Sequence, residues 1–238
     1  MAPASMIKVR KLVKRFGPKT VLRGLDFDVQ QGEFVALLGP NGAGKTTFLR
    51  ILASLARPTM GMLEVAGYPL PAQAGAVRAR LGVVTHLPLL YGDLTAEENL
   101  RFFGSMYGLD GLNHRIDEVL ELVGLLLPRR DPVRTFSRGM QQRLAIGRAI
   151  LHDPDVVLFD EPHTGLDQDA CDMLDSLLLN VAGRGRTVVI TSHDMARVED
   201  LATRFDVLSR GVIVASARRE DLGKNNLLDF YRQSLVAQ

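Results

Sequence analysis

Hydrophobic and polar positions along the chain follow two rhythms. Glu33-Phe-Val-Ala-Leu-Leu38 is a short apolar run, the pattern of a parallel strand buried on both faces. Asp155-Val-Val-Leu-Phe159 and Thr187-Val-Val-Ile-Thr191 repeat it. Helical spacing governs Phe48–Leu55, Asp167–Val181 and Met195–Ala202, so strands and helices alternate and predict an α/β core. Met6–Val13 and Val21–Val29 read as strands, with a turn at Lys14–Pro18 and another at Gln30-Gln-Gly32. Three early strands on short turns predict an antiparallel β flap. Gly61–Ala66 and Arg80–Thr85 add two strands around a helix expected near Ala72–Arg80.

A helical block over residues 95–151 then interrupts the alternation and reads as an inserted subdomain. It opens on Thr95-Ala-Glu-Glu98, a capping box for a helix to about Met106. Further helices are expected over His114–Leu126 and Ser137–Leu151. Phe205–Ser209 and Val212–Ser216 predict a closing hairpin around Gly211, and Leu222–Gln238 predicts one amphipathic helix. The expected organisation is a single domain over 1–238. Residues 1–94 and 152–216 form its α/β core and flap, 95–151 its helical subdomain and 217–238 its C-terminal helix.

Composition narrows the classes of function. Hydrophobic residues make up 46% and charged residues 24% of 238, which suits a globular protein with a sizeable core. The net charge of +2 gives no global electrostatic case for nucleic acid. Apolar runs fall short of the roughly 18 residues of a membrane span. The N-terminus carries no apolar core of a secretory signal. Cys171, the lone cysteine, forms no intrachain disulfide, which fits a reducing compartment. A cytoplasmic chain is expected, with any membrane contact made through a partner.

Candidate chemistry begins at Gly39-Pro-Asn-Gly-Ala-Gly-Lys-Thr-Thr47, which joins a buried strand to a helix. That is the context required of the phosphate-binding loop G-x-x-x-x-G-K-[ST]. Gly39, Pro40, Asn41, Gly42, Ala43, Gly44, Lys45, Thr46 and Thr47 are therefore candidate phosphate contacts. The glycines let several N–H groups point at one anion, and the helix starting near Lys45 adds its positive end. Lys45 supplies charge to β- and γ-phosphates, and the Thr46 hydroxyl is a candidate ligand of Mg²⁺. Asp160 and Glu161 end the second apolar strand, a Walker B pattern. Asp160 would hold Mg²⁺ and Glu161 would polarise a water attacking the γ-phosphate. Both groups belong at the carboxyl ends of one parallel sheet. His193 follows the third buried strand on the same edge; it reads either as a γ-phosphate contact or as a capped surface histidine. Phe16, beside Gly17, reads either as a ring that stacks on adenine or as filling for the flap.

In chain order, GPNGAGKTT, Phe136-Ser-Arg-Gly-Met-Gln-Gln-Arg143, Leu158-Phe-Asp-Glu-Pro162, Thr164-Gly-Leu-Asp167 and Thr191-Ser-His193 resemble the motifs of the ATP-binding subunits of ABC transporters. The resemblance covers nearly the whole chain. It implies a P-loop NTPase (RecA-like) core with a mainly parallel sheet, ATP and Mg²⁺ as ligands, and ATP hydrolysis. It also implies a homodimer, with each ATP held between the phosphate loop of one subunit and the signature segment of the other. Ser137, Arg138, Gly139 and Met140 would then touch nucleotide, and a helix N-terminus at Ser137 suits a γ-phosphate. Phe16 looks like the adenine-stacking aromatic, Asp167 like the D-loop acid that meets the partner subunit, and His193 like the switch histidine.

Three positions depart from the family pattern. Arg138 stands where Gly is usual, and Met140 where Gln is usual. His86 stands where a Gln normally reaches Mg²⁺ and the γ-phosphate; imidazole can serve both, but it is shorter and titrates near neutrality. The loop at His86, the Leu-Tyr-x-x-Leu-Thr-Ala-Glu-Glu-Asn-Leu run after it and the altered signature together resemble the ATP-binding subunit of the haem exporter of cytochrome c maturation (CcmA).

On this resemblance the chain is expected to be the ATPase subunit of a membrane exporter. It would be peripheral on the cytoplasmic face of the cell membrane through a permease partner. Haem is the expected cargo, with a drug or lipid as the alternative. The helical block and the loop His86–Asp93 would pass motion to the permease. Tyr91 and Leu89 read either as docking contacts or as ordinary loop anchors. Cassettes acting on DNA or ribosomes usually carry two cassettes or long coiled-coil insertions, and neither is in the sequence. A non-hydrolysing regulatory binder is opposed by an intact Glu161 and His193.

Overall fold

The computed structural model describes residues 4–85, 87–222 and 226–236. In order, its elements are β1 (Ser5–Phe16), β2 (Lys19–Gln30), β3 (Phe34–Leu38), α1 (Lys45–Leu52), β4 (Met60–Val65), β5 (Tyr68–Pro69), α2 (Ala74–Ala79) and β6 (Leu81–Val84). Three helices follow: α3 (Ala96–Tyr107), α4 (Leu112–Leu122) and α5 (Arg138–Ile150). The remainder is β7 (Val156–Asp160), α6 (Gln168–Gly183), β8 (Thr187–Thr191), α7 (Met195–Leu201), β9 (Arg204–Ser209), β10 (Val212–Arg218) and α8 (Leu227–Val236).

A six-stranded sheet of order β10-β9-β3-β8-β7-β6 lies beside a four-stranded sheet of order β2-β1-β4-β5. In the larger sheet the strands from β9 to β6 are parallel, and β10 turns back antiparallel on β9. Strands β3, β7 and β8 are buried at every position because both faces of the sheet are covered. Successive side chains of β3 enter two different cores. Val35 and Leu37 join Phe27 and Phe48 on the flap side. Phe34, Ala36 and Leu38 join Leu144, Ile146 and Leu178 on the helical side. Phe27 of β2 meets Phe48 of α1 edge to face with ring centres 5.1 Å apart, which fixes the flap against the helix that follows the phosphate loop.

Helices α3, α4 and α5 share one apolar core through Leu100, Ile116, Leu120 and Ile146. The expected capping box opens α3: the Glu98 N–H donates to the Thr95 hydroxyl at 3.1 Å, and the Thr95 N–H donates to the Glu98 carboxylate at 2.8 Å.

Three sequence expectations need correction. The strand after Gly32 is not part of the flap; β3 lies inside the parallel sheet, and β4 and β5 complete the flap by pairing on β1. A strand that is apolar on both faces needs two covered faces, which an outer flap lacks. The C-terminal helix α8 starts at Leu227 rather than at Leu222; the Asn226 side chain accepts from the Asp229 N–H at 2.9 Å and so caps it. Helix α4 ends at Leu122 rather than Leu126, because Gly124 takes a positive φ of 64° just beyond it.

Candidate functional site

The phosphate loop leaves β3 at Leu38 and enters α1 at Lys45. Gly39 has φ 152°, and a Cβ there would stand 2.2 Å from the Leu208 carbonyl oxygen of β9, so only glycine lets the loop lie this close to the sheet. Gly44 caps α1 at φ 113°, with Leu22 of the flap 2.9 Å from where its Cβ would be. No side chain caps α1 and no acid stands in its first turn, so its free N–H groups face the cleft for an anion to take.

Lys45 is buried at the head of α1, and its Nζ donates to the Gly39 carbonyl at 2.7 Å. The same Nζ lies 3.9 Å from a Glu161 carboxylate oxygen. Burial pushes the Lys45 ammonium below its usual range, and the charges of Glu161 and Asp160 pull it back up. An arriving phosphate would supply the counter-charge that this half-compensated cation lacks.

Both acids arrive from the end of β7, which is separated from β3 by β8. Asp160 ends β7 and is buried; it accepts hydrogen bonds from the Thr46 hydroxyl at 3.1 Å and the Thr191 hydroxyl at 2.8 Å. Glu161 follows in a left-handed conformation with φ 52°, a strained geometry for a residue with a Cβ. Its N–H donates to both the carbonyl and the hydroxyl of Thr191 at 3.1 Å, which pins the turn to the end of β8. His193 Nδ1 is 2.7 Å from the Glu161 carboxylate. A carboxylate oxygen accepts, so Nδ1 carries the proton and Nε2 is left for another group. The His193 side chain is 68% exposed, over the cleft.

Lys45, Thr46, Glu161 and His193 line one open cleft of about 680 Å³, whose lining does not include Gly39 or Asp160. It holds the loop from Pro40 to Thr47 together with Glu161 and His193. Lys19, Arg23 and Arg210 also line it, and no local motif marks them. Arg210 reaches the cleft because the β9–β10 turn docks on β2, where the Arg23 N–H donates to the Gly211 carbonyl at 3.0 Å. The cleft is thus cationic where phosphates would enter.

The other expected contacts lie elsewhere. Phe16 is exposed at the end of β1, beneath the Lys14 ammonium at 4.7 Å and opposite Lys19 in the strand register. It stands beside the cleft wall rather than in it. His86 lies outside the described residues. Ser137, Arg138, Gly139, Met140 and Asp167 form a separate cluster where the N-termini of α5 and α6 meet. Ser137 caps α5 by accepting from the Met140 N–H at 3.2 Å, and Asp167 caps α6 by accepting from the Ala170 N–H at 2.8 Å. Gly139 packs on α6, where an added Cβ would be 2.9 Å from the Ala170 Cβ. The Arg138 guanidinium lies against Gly165 in the segment that follows Glu161. The candidate residues therefore fall into two separate groups on one chain.

Comparison with known proteins places these features in a family. The pattern described as ABC transporter matches residues 22–164. The linearmycin resistance ATP-binding protein LnrL of Bacillus subtilis (strain 168) is 36% identical over 91% of this chain and 70% of its own length. The Nod factor export ATP-binding protein I of Paraburkholderia xenovorans (strain LB400) is 40% identical over 90% of this chain and 71% of its own. Among solved structures, an ATP-binding subunit of an ABC transporter superposes with a TM-score of 0.87 at 29% identity, covering 97% of this chain and 99% of that one. A dimeric ATP-binding cassette in a post-hydrolysis state with ADP and Pi superposes with a TM-score of 0.80 at 27% identity, over 90% of this chain and 99% of that one.

Proposed function

This chain belongs to the ABC transporter family as an ATP-binding, ATP-hydrolysing cassette, and from that premise we propose that it powers an exporter as a homodimer closed by ATP. The observation that carries this reading is the division of the expected nucleotide contacts into two half-sites on one chain. Lys45, Glu161 and His193 line the cleft, while Ser137 and Asp167 stand in a cluster outside it. A second copy would bring its signature helix N-terminus against the nucleotide held in the first copy's cleft. The whole chain then acts as one cassette, with α3 to α5 as its inserted subdomain.

The phosphate-loop amides and Lys45 hold the β- and γ-phosphates, with Arg210, Lys19 and Arg23 adding positive charge around them. Glu161 accepts a hydrogen bond from the attacking water and orients it toward the γ-phosphorus. His193, steered by Glu161, turns its Nε2 lone pair toward the γ-phosphate end of the site, where it accepts from the attacking water and helps hold it. Thr46 and Asp160 offer one hydroxyl and one carboxylate, hard oxygen donors that suit Mg²⁺ with water and phosphate oxygens completing its shell. Magnesium there would neutralise charge on the phosphates. Phe16 would stack on the adenine from beside the cleft. Hydrolysis removes the triphosphate that links the two copies, and the dimer opens.

Among the described residues no helix is long and apolar enough to cross a membrane. We place the permease on the surface between α3 and the loop before it. Tyr91 is half exposed there, edge-on to Phe102 at 5.0 Å, beside exposed Leu87 and Leu89. The loop backbone is held independently: the Tyr91 N–H donates to Asn99 at 2.8 Å, and Arg148 donates to the Leu89 carbonyl at 2.9 Å. The Tyr91 ring also stacks on Phe103 at 6.1 Å, so it helps to anchor the loop, while the exposed Leu87 and Leu89 side chains are left for docking.

The names of the relatives above speak of Nod factor export and linearmycin resistance. Neither refers to haem, so the haem-export expectation gives way to export of a cargo of the kind those names give. Affinity purification of the tagged chain from detergent-solubilised membranes of its native host tests the partner. A co-eluting integral membrane protein, lost with Leu89→Ala, is expected; recovery of the chain alone would count against a permease.

A further inference from the structure

We propose that His163, Asp175 and Arg197 form a strut that holds the His193 loop against Glu161, making His163 a positioning residue for ATP hydrolysis. The proposal rests on the roles given above to Glu161 and His193.

His163 lies just after Glu161 in the segment between β7 and α6, with its side chain buried. Its Nε2 is 2.7 Å from Asp175 Oδ1 on α6. Because the carboxylate accepts, Nε2 carries the proton. The other oxygen of Asp175 accepts from Arg197 of α7 at 2.7 Å. Arg197 also reaches Asp172 at 3.0 Å and Asp194 at 3.5 Å. Asp194 adjoins His193 and caps α7 by accepting from the Arg197 N–H at 3.3 Å. Beyond the backbone tie of Glu161 to Thr191, two side-chain links join the two catalytic loops. At the cleft the link is Glu161 to His193; behind it the link runs through His163, Asp175, Arg197 and Asp194.

The rear link answers a structural need. Glu161 holds a left-handed φ of 52°, which persists only where the surroundings over-determine it. Its backbone is tied to Thr191, but its carboxylate meets an imidazole that is 68% exposed on a short loop. Arg197 is 13% exposed and faces three carboxylates; its bond to Asp175, 22% exposed, is charge-assisted and the least screened by solvent of the three. None of His163, Asp175 and Arg197 lines the nucleotide cleft. They act on the reaction only through the loops they brace.

The test compares His163→Ala with His163→Gln, whose side-chain N–H replaces the imidazole N–H toward Asp175. Hydrogen–deuterium exchange of residues 191–197 is read without nucleotide, and ATPase kinetics are read on the same proteins. In His163→Ala, exchange of that segment should quicken and kcat should fall about tenfold, with KM for ATP within about twofold. His163→Gln should restore both. Unchanged exchange, unchanged kcat, or equal losses in the two variants would overturn the strut. If His163→Ala does not fold, Asp175→Asn breaks the ion pair with little change of shape and is scored on the same readouts. A wild-type chain without ATPase activity would count against the roles of Glu161 and His193, while the exchange data would still decide the strut.

Discussion

His193 Nδ1 and a Glu161 carboxylate oxygen meet at 2.7 Å across 32 residues of sequence. The contact orients the histidine and fixes its tautomer, leaving the Nε2 lone pair to accept from the attacking water in the proposed reaction. Removing the ring should leave nucleotide binding to the phosphate loop and impair the chemical step. His193→Ala is expected to lower kcat about a hundredfold with little change in ATP affinity. Phosphate release under saturating Mg²⁺-ATP checks this; a variant at wild-type rate would remove His193 from the reaction.

Burial lowers the Lys45 ammonium and Glu161 and Asp160 only partly offset it, so on the proposed reading a phosphate would be its counter-charge. Lys45→Ala should weaken ATP binding by roughly thirtyfold, as loss of a charge-assisted hydrogen bond of about 2 kcal/mol implies. Titration with a fluorescent ATP analogue measures it. An unchanged Kd would mean that the loop amides carry the binding alone.

His152 provides a pH signature. Burial pushes its imidazole down to about 4 from an ordinary 6.5, and its ring stacks on Tyr107 at 4.0 Å. The unfolded chain therefore takes up this proton first as pH falls. Stability from this group is intact above pH 6.5 and is lost between 6.5 and 4. From pH 6.5 to 5 the loss is about 2 kcal/mol. Urea unfolding at pH 7 and pH 5 should show a smaller drop for His152→Gln than for the wild type. Equal drops would show that other groups carry the slope.

Much of this arrangement is legible in the sequence where the physical signal is local. The strand Phe34–Leu38 declares itself because every residue must be apolar when both faces are covered. The phosphate loop is legible because its glycines, lysine and threonine lie side by side. Asp160 and Glu161 become legible once placed at the end of a second such strand. Other features depend on long-range docking. Arg210 lines the cleft only because its turn packs on β2, and nothing near Arg210 signals that contact. The flap's true membership is hidden because β4 pairs with β1 across an intervening strand of the other sheet. His163 resembles an ordinary loop residue until α6 brings Asp175 to it.

The central claim is that one nucleotide is gripped by two copies of this chain, and Glu161→Gln tests it most directly. That variant should bind ATP but turn it over very slowly, which preserves the closed state. Gel filtration with light scattering should find a monomer without nucleotide and a dimer with ATP. A strictly monomeric Glu161→Gln protein at saturating ATP would contradict the account.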